Sequence, residues 1–136
     1  MKADFIKAFN SFGEYICGAV PELGNIITHW ADPFTVSKNR TIMLPDSHAE
    51  AGEKITFSLV LWTSIVERNA DAIAQTQIGI MEKIFRAVYS NNTPPSVISM
   101  AVNAADYFDP TPQSPNVGLM RVLVTLTVEY LDDCDY

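Results

Sequence analysis

The closing stretch GLMRVLVTLTVEYLDD, residues 118–133, has two unlike faces. Successive side chains of an extended chain point to opposite sides. Met120, Val122, Val124, Leu126, Val128 and Tyr130 therefore share one side. Arg121, Thr125, Thr127 and Glu129 share the other with Leu119 and Leu123. The first set reads as a core face. The second is too apolar for a plain solvent face, so a strand this long needs something to cover it. KITFSLVLWTSIVE, 54–67, repeats the pattern. Ile55, Phe57, Leu59, Leu61 and Ile65 oppose Thr56, Ser58, Val60, Trp62, Ser64 and Val66.

Two helical patterns accompany these strands. Over residues 3–19, Phe5, Phe9, Phe12, Ile16 and Val20 recur at helical spacing with Ile6 beside them, and Pro21 and Gly24 close the segment. Asn69 caps a second helix, with Asp71 in its first turn where the positive end of the helix dipole favours an acid. Ile73, Gln77, Ile80, Met81, Ile84, Phe85 and Val88 continue it to Tyr89, and SNNTPP ends it. NIITHW (25–30), RTIMLP (40–45) and SVISMAVNAADYF (96–108) read as further strands. ADPFTVSKNR (31–40), DSHAEAGEK (46–54) and DPTPQSPN (109–116) read as connections. The order is α-β-β-β-α-β-β in one domain spanning 1–136. Most connections are too short for parallel crossovers. The expected fold is α+β: a mostly antiparallel five-stranded sheet with two amphipathic helices packed on one face. The other face is then bare within one copy, and a partner is expected there.

The 136 residues suit a single domain with one core, and 48% hydrophobic against 18% charged residues suits a folded chain. Sixteen acids against nine bases give a formal charge of −7, which argues against a general grip on nucleic acid. Cys17 and Cys134 are far apart and form no C-x-x-C pair, so reduced thiols and a cytoplasmic setting are expected. The N-terminus MKADFIKAFNSFGEY interrupts its apolar residues with charge, unlike a signal peptide, and no apolar run is long enough to cross a membrane.

No residue pattern declares a chemistry. His29 reads as an ordinary strand residue, and His48 as a solvated loop residue without a motif around it. Asp46, His48, Glu50 and Glu53 match neither a zinc nor a calcium spacing. Asp132, Asp133, Cys134 and Asp135 read as a solvated terminus, and glycine-rich phosphate loops are missing. The expectation is no enzyme, no metal and no cofactor. Binding features are more suggestive. Phe34, Lys38 and Arg40 lie in one connection, which reads either as a hairpin tip or as an arm reaching a neighbouring subunit. Trp62 either closes a small side core or is buried in an interface, where Trp is enriched. Arg121, among Leu119, Leu123 and Thr125, needs a charged partner or water, and an ion pair with another subunit would supply one.

In its ordered features the chain resembles the small tail terminator (tail completion) proteins of lambda-like long-tailed phages and related head–tail neck proteins. The resemblance covers nearly the whole chain. It rests on the opening helix MKADFIKAFNSFGEYI, on KITFSLVLWTSIVE leading directly into NADAIAQTQIGIMEKIFRAV, and on a long last strand ending VTLTVEYLDD. DPTPQSP and DSHAEAGEK depart from it. The resemblance implies a hexameric ring on the last tail-tube ring, halting its polymerisation and offering a docking face to head–tail connector proteins. DNA would pass through without specific binding, and the protein would move from the cytoplasm into the virion tail. Phe34, Lys38, Arg40, Trp62, Leu119, Arg121 and Leu123 are the expected subunit-interface residues. The other readings are a different neck subunit, a connector or head-closure protein, or a cytoplasmic ligand-binding or regulatory domain using the face around Trp62.

Overall fold

The structure is a computed structural model and describes residues 5–90, 93–94, 97–108, 110 and 112–129. Residues 3 and 4 of the expected first helix, parts of SNNTPP and DPTPQSPN, and Tyr130, Asp132, Asp133, Cys134 and Asp135 lie outside them. Helix α1 spans Phe5–Ala19, a 3-10 turn Pro21–Leu23 follows, and β1 is Asn25–Ile27. Then come β2 (Arg40–Ala51), β3 (Lys54–Val66), α2 (Ala70–Val88), β4 (Val97–Phe108) and β5 (Val117–Glu129). They form an α+β fold whose single sheet has the order β1-β2-β3-β5-β4. All pairings are antiparallel except β1 with β2.

The register explains the two faces of the closing strand. Ile55 pairs with Val128, Phe57 with Leu126, Leu59 with Val124 and Leu61 with Val122, so the fully apolar sides of β3 and β5 form one surface. Phe9, Phe12 and Ile16 of α1 and Ile80, Met81, Ile84 and Val88 of α2 close over it in one core cluster. Both helices lie on this face, as their spacing predicts. Burying each large apolar side chain contributes roughly 1.5–3 kcal/mol. Tyr15 Oη on α1 donates to the Ala87 carbonyl on α2 at 2.6 Å, tying the helices to each other, and Lys83 on α2 bonds Glu22 in the 3-10 turn. Asn69 Oδ1 accepts from the Ala72 N–H at 2.9 Å and caps α2 as expected.

Besides the shorter β1, three expectations change. The stretch 46–54 is not a loop. β2 continues through it to Ala51, pairing Ser47 with Ser58 and Glu50 with Ile55, after a register shift between Pro45 and Ser47. Gly52, at φ 64°, makes the tight turn into β3. Asp46, Ser47 and Glu50 have poor strand propensity, and backbone pairing with β3 overrides it. Second, Ile6 and Phe85 are exposed and do not join the helical core stripes. Third, the face opposite the helices is not bare. The 12 residues between β1 and β2 form a parallel crossover that folds over one end of it.

Candidate interaction surface

The crossover is organised by Asp32. Its Oδ1 accepts the Phe34 N–H at 3.0 Å, and its carbonyl accepts from Thr35 Oγ1 at 3.2 Å and from Arg40 Nη2 at 2.8 Å. Ser64 Oγ, on the outer face of β3, donates to the Pro33 carbonyl at 2.6 Å. Ser114 Oγ donates to the Phe34 carbonyl at 2.9 Å. Asn39 locks the far end: its Nδ2 donates to the Glu22 carbonyl at 2.8 Å and its Oδ1 accepts the Val66 N–H at 2.9 Å. Because β1 and β2 are parallel, this segment is no hairpin tip. Phe34 is half-buried and its backbone is held by its own chain; Lys38 stays exposed and Arg40 is half-buried.

Beside the crossover stands an aromatic group. The ring of Trp62 meets Trp30 edge-on, with centroids 5.6 Å apart and planes at 86°. It stacks on Phe108 at 6.2 Å and 24°. The Arg121 guanidinium lies 5.5 Å from the Trp62 centroid, a cation–π placement. Arg121 Nη1 is 3.2 Å from Asp106 Oδ2, its directly paired neighbour across β5–β4. The charge expected to seek another subunit is thus met inside the chain. Within one chain Trp62 thus belongs to a small side core, and that core is incomplete: Trp30 and Phe108 are exposed.

The rest of the outer face divides by polarity. Leu119 is buried, while Leu123, between Val60 on β3 and Ala104 on β4, is half-buried. Toward the β2–β3 turn the face is a hydroxyl ladder. Thr56 bonds Thr127 at 3.2 Å, Ser58 bonds Thr125 at 2.7 Å, and Thr125 donates to Asn103 Oδ1 at 2.6 Å. Apolar and aromatic groups therefore concentrate at the crossover end and polar ones at the turn end.

Other residues singled out in the sequence are scattered. His29 is exposed just past β1. His48 lies on the helix side of β2, its ring 5.3 Å from Phe5 and its Nε2 4.0 Å from Glu50. Among the described residues, no three of His, Cys, Asp and Glu group closely enough to hold a metal ion. No helix there is long and apolar enough to cross a membrane. Trp30 and Phe108 do not stand out in the sequence as partners of Trp62. The available signal was their size at strand ends, but which strands adjoin is not a local property. No protein-family model and no curated protein matches this chain.

Proposed function

We propose that this chain is a structural subunit of a ring at the head-proximal end of a long phage tail. There it stops tail-tube polymerisation and presents the docking face for the head. The element layout carries the reading. An opening amphipathic helix, a long β3 followed within a few residues by α2, and a long closing strand in an α+β sheet make up the arrangement that the tail-terminator resemblance implies. The outer-face aromatic group adds support, since Trp and Arg are enriched in surfaces completed by a protein partner. Trp62, Arg121 and Leu123 lie on this face and Phe34 and Arg40 belong to the crossover segment folded over it, whereas Lys38 is exposed farther along the crossover and Leu119 is covered within the chain. The net charge of −7 suits a channel through which DNA slides without being held.

The test is to polymerise purified tail-tube protein with and without this chain, then measure tube length by electron microscopy and association by sedimentation. Short capped tubes bearing this chain at one end are expected. Tubes of unchanged length, with the chain left in the supernatant, would sink the reading.

A further inference from the structure

The ring reading leaves open which surfaces join neighbouring copies, and the distribution of exposed apolar side chains addresses this. Eight large hydrophobic residues are exposed among those described. Six of them, Ile78 and Phe85 on α2, Tyr89 just past it, and Ile98, Tyr107 and Phe108 on the edge strand β4, are each 41–58% exposed. All but Phe108, which stacks on Trp62 on the outer face, belong to the α2–β4 edge. Ile78, Phe85 and Tyr89 recur seven and four residues apart and so share one helical stripe. That stripe faces away from α1, because Lys83 and Ala87 on the opposite flank bond Glu22 and Tyr15. It overhangs β4: the Tyr89 hydroxyl accepts the Val102 N–H at 3.0 Å, and the rings of Phe85 and Tyr89 stack at 5.9 Å. One lateral edge of the molecule is thus an apolar ridge.

The opposite edge is concave. There the flank of α1 that carries Asn10, Gly13 and Cys17 stands over Ile26 and Met43, leaving a groove of about 650 Å³ open to solvent. Gly13 lets α1 sit close on Met43, and Gly18 leaves open space beside the groove. A Cβ on Gly13 would lie 2.8 Å from Met43 Cε, and one on Gly18 would meet nothing within 4 Å.

We propose that the Ile78–Phe85–Tyr89 ridge of one copy seats in the α1–β1 groove of the next, as the lateral contact of the ring; the inference rests on the ring reading. Area supports a second copy as the occupant. At roughly 150–250 Å² per large side chain, the three ridge residues together with Ile98 and Tyr107 on the edge strand β4, each about half exposed, offer on the order of 500 Å² of apolar surface. About 800 Å² per partner makes a standard interface, so this edge as a whole supplies more than half of one side. Strand direction supports it too. β4 runs antiparallel to β5, β5 to β3 and β3 to β2, while β1 is parallel to β2. A neighbour's β4 laid beside β1 is therefore antiparallel to it without inverting either copy. Unlike edges that meet without inversion make a head-to-tail contact, which closes a ring when the rotation fits.

The experiment pairs Phe85→Glu on the ridge with Gly18→Arg in the groove, both checked for folding by circular dichroism, with Ile78→Glu in place of Phe85→Glu if that variant unfolds. By sedimentation, each variant alone should need about tenfold or more protein to assemble than the parent chain. Mixed together, they should form heterodimers that grow no further, since only one intact ridge then faces one intact groove. If the parent chain forms rings and both variants assemble like it, the proposed contact is wrong while the ring reading survives. Loss of assembly in the ridge variant alone, with Gly18→Arg unaffected, also overturns it, because the ridge would then meet something other than the groove. A parent chain that stays monomeric even with tail-tube protein removes the ring reading itself, and the contact with it.

Discussion

Gly118 sits where α2 comes down on β5, and a Cβ there would lie 2.1 Å from Ile73 Cγ2. Gly118→Ala is expected to destabilise the domain by roughly 1–3 kcal/mol through overpacking. In urea unfolding, combining it with Ile73→Ala should cost less than the sum of the two single changes, the signature of a direct clash. Additive losses would place the strain elsewhere. Gly24 is constrained twice, by a φ of 73° and by Asn39 O lying 2.0 Å from where its Cβ would stand. Sequence reading marks Gly24 only as a helix stop; the close approach of residue 39 is invisible locally. Tyr107 supplies a pH-dependent residue. Tyr107 is about half exposed, and the partial desolvation of its covered side raises its phenol above the usual 10.0. The folded state holds that proton more tightly than the unfolded chain, so its contribution is complete below about pH 10 and fades as the pH climbs through the raised value. Tyr107→Phe should lose less stability than the parent chain between neutral pH and about pH 11. An identical loss in both would show that the phenol is not linked to folding.

At the scale of elements, the helices and the long strands were legible because their signals are local. A 3.6-residue stripe and a two-residue alternation are properties of contiguous sequence. The distal half of β2 had no such signal. Residues 46–51 are exposed, mostly polar, and strand-like only because β3 lies beside them. Their amides should exchange with solvent orders of magnitude faster than those of residues 57–65 in native-state hydrogen exchange, since little apolar burial holds that end of the hairpin. Equal protection along β2 and β3 would mean that the whole hairpin opens only with the global fold. β1 was overestimated in length for a related reason: NIITHW reads as strand throughout, but the chain leaves the sheet after Ile27 to begin the crossover. That crossover also changes the account of the outer face. A face that periodicity marks as half-apolar is in part covered by the chain's own residues 28–39.

For the whole molecule, each copy carries a formal charge of −7, and a ring brings those charges together. If apolar ridge-in-groove contacts hold the ring, screening the repulsion should strengthen it. Sedimentation near 0.05 M and 0.5 M salt is expected to show more assembly at the higher ionic strength, with the shift appearing at the concentration for half-assembly. The opposite trend would assign the interface to charge pairs between copies. The candidate surface was only partly readable beforehand. Trp62 and Arg121 stand out in the sequence because they interrupt an otherwise mixed strand face. Trp30, Phe108 and Asp106, which complete the group, come from distant parts of the chain.

By itself, the sequence determined the helices, the long strands, the core sides of those strands and an α+β class, because side-chain alternation and helical recurrence are written along consecutive residues. Only the tertiary structure decided the strand pairing of residues 46–51, the path of residues 28–39 over the sheet, and the partners of Trp62 and Arg121. It also decided the gathering of exposed apolar side chains on one lateral edge. Each of these depends on which distant segments become neighbours, and that is selected by the free energy of the whole packed chain, not by any stretch read alone.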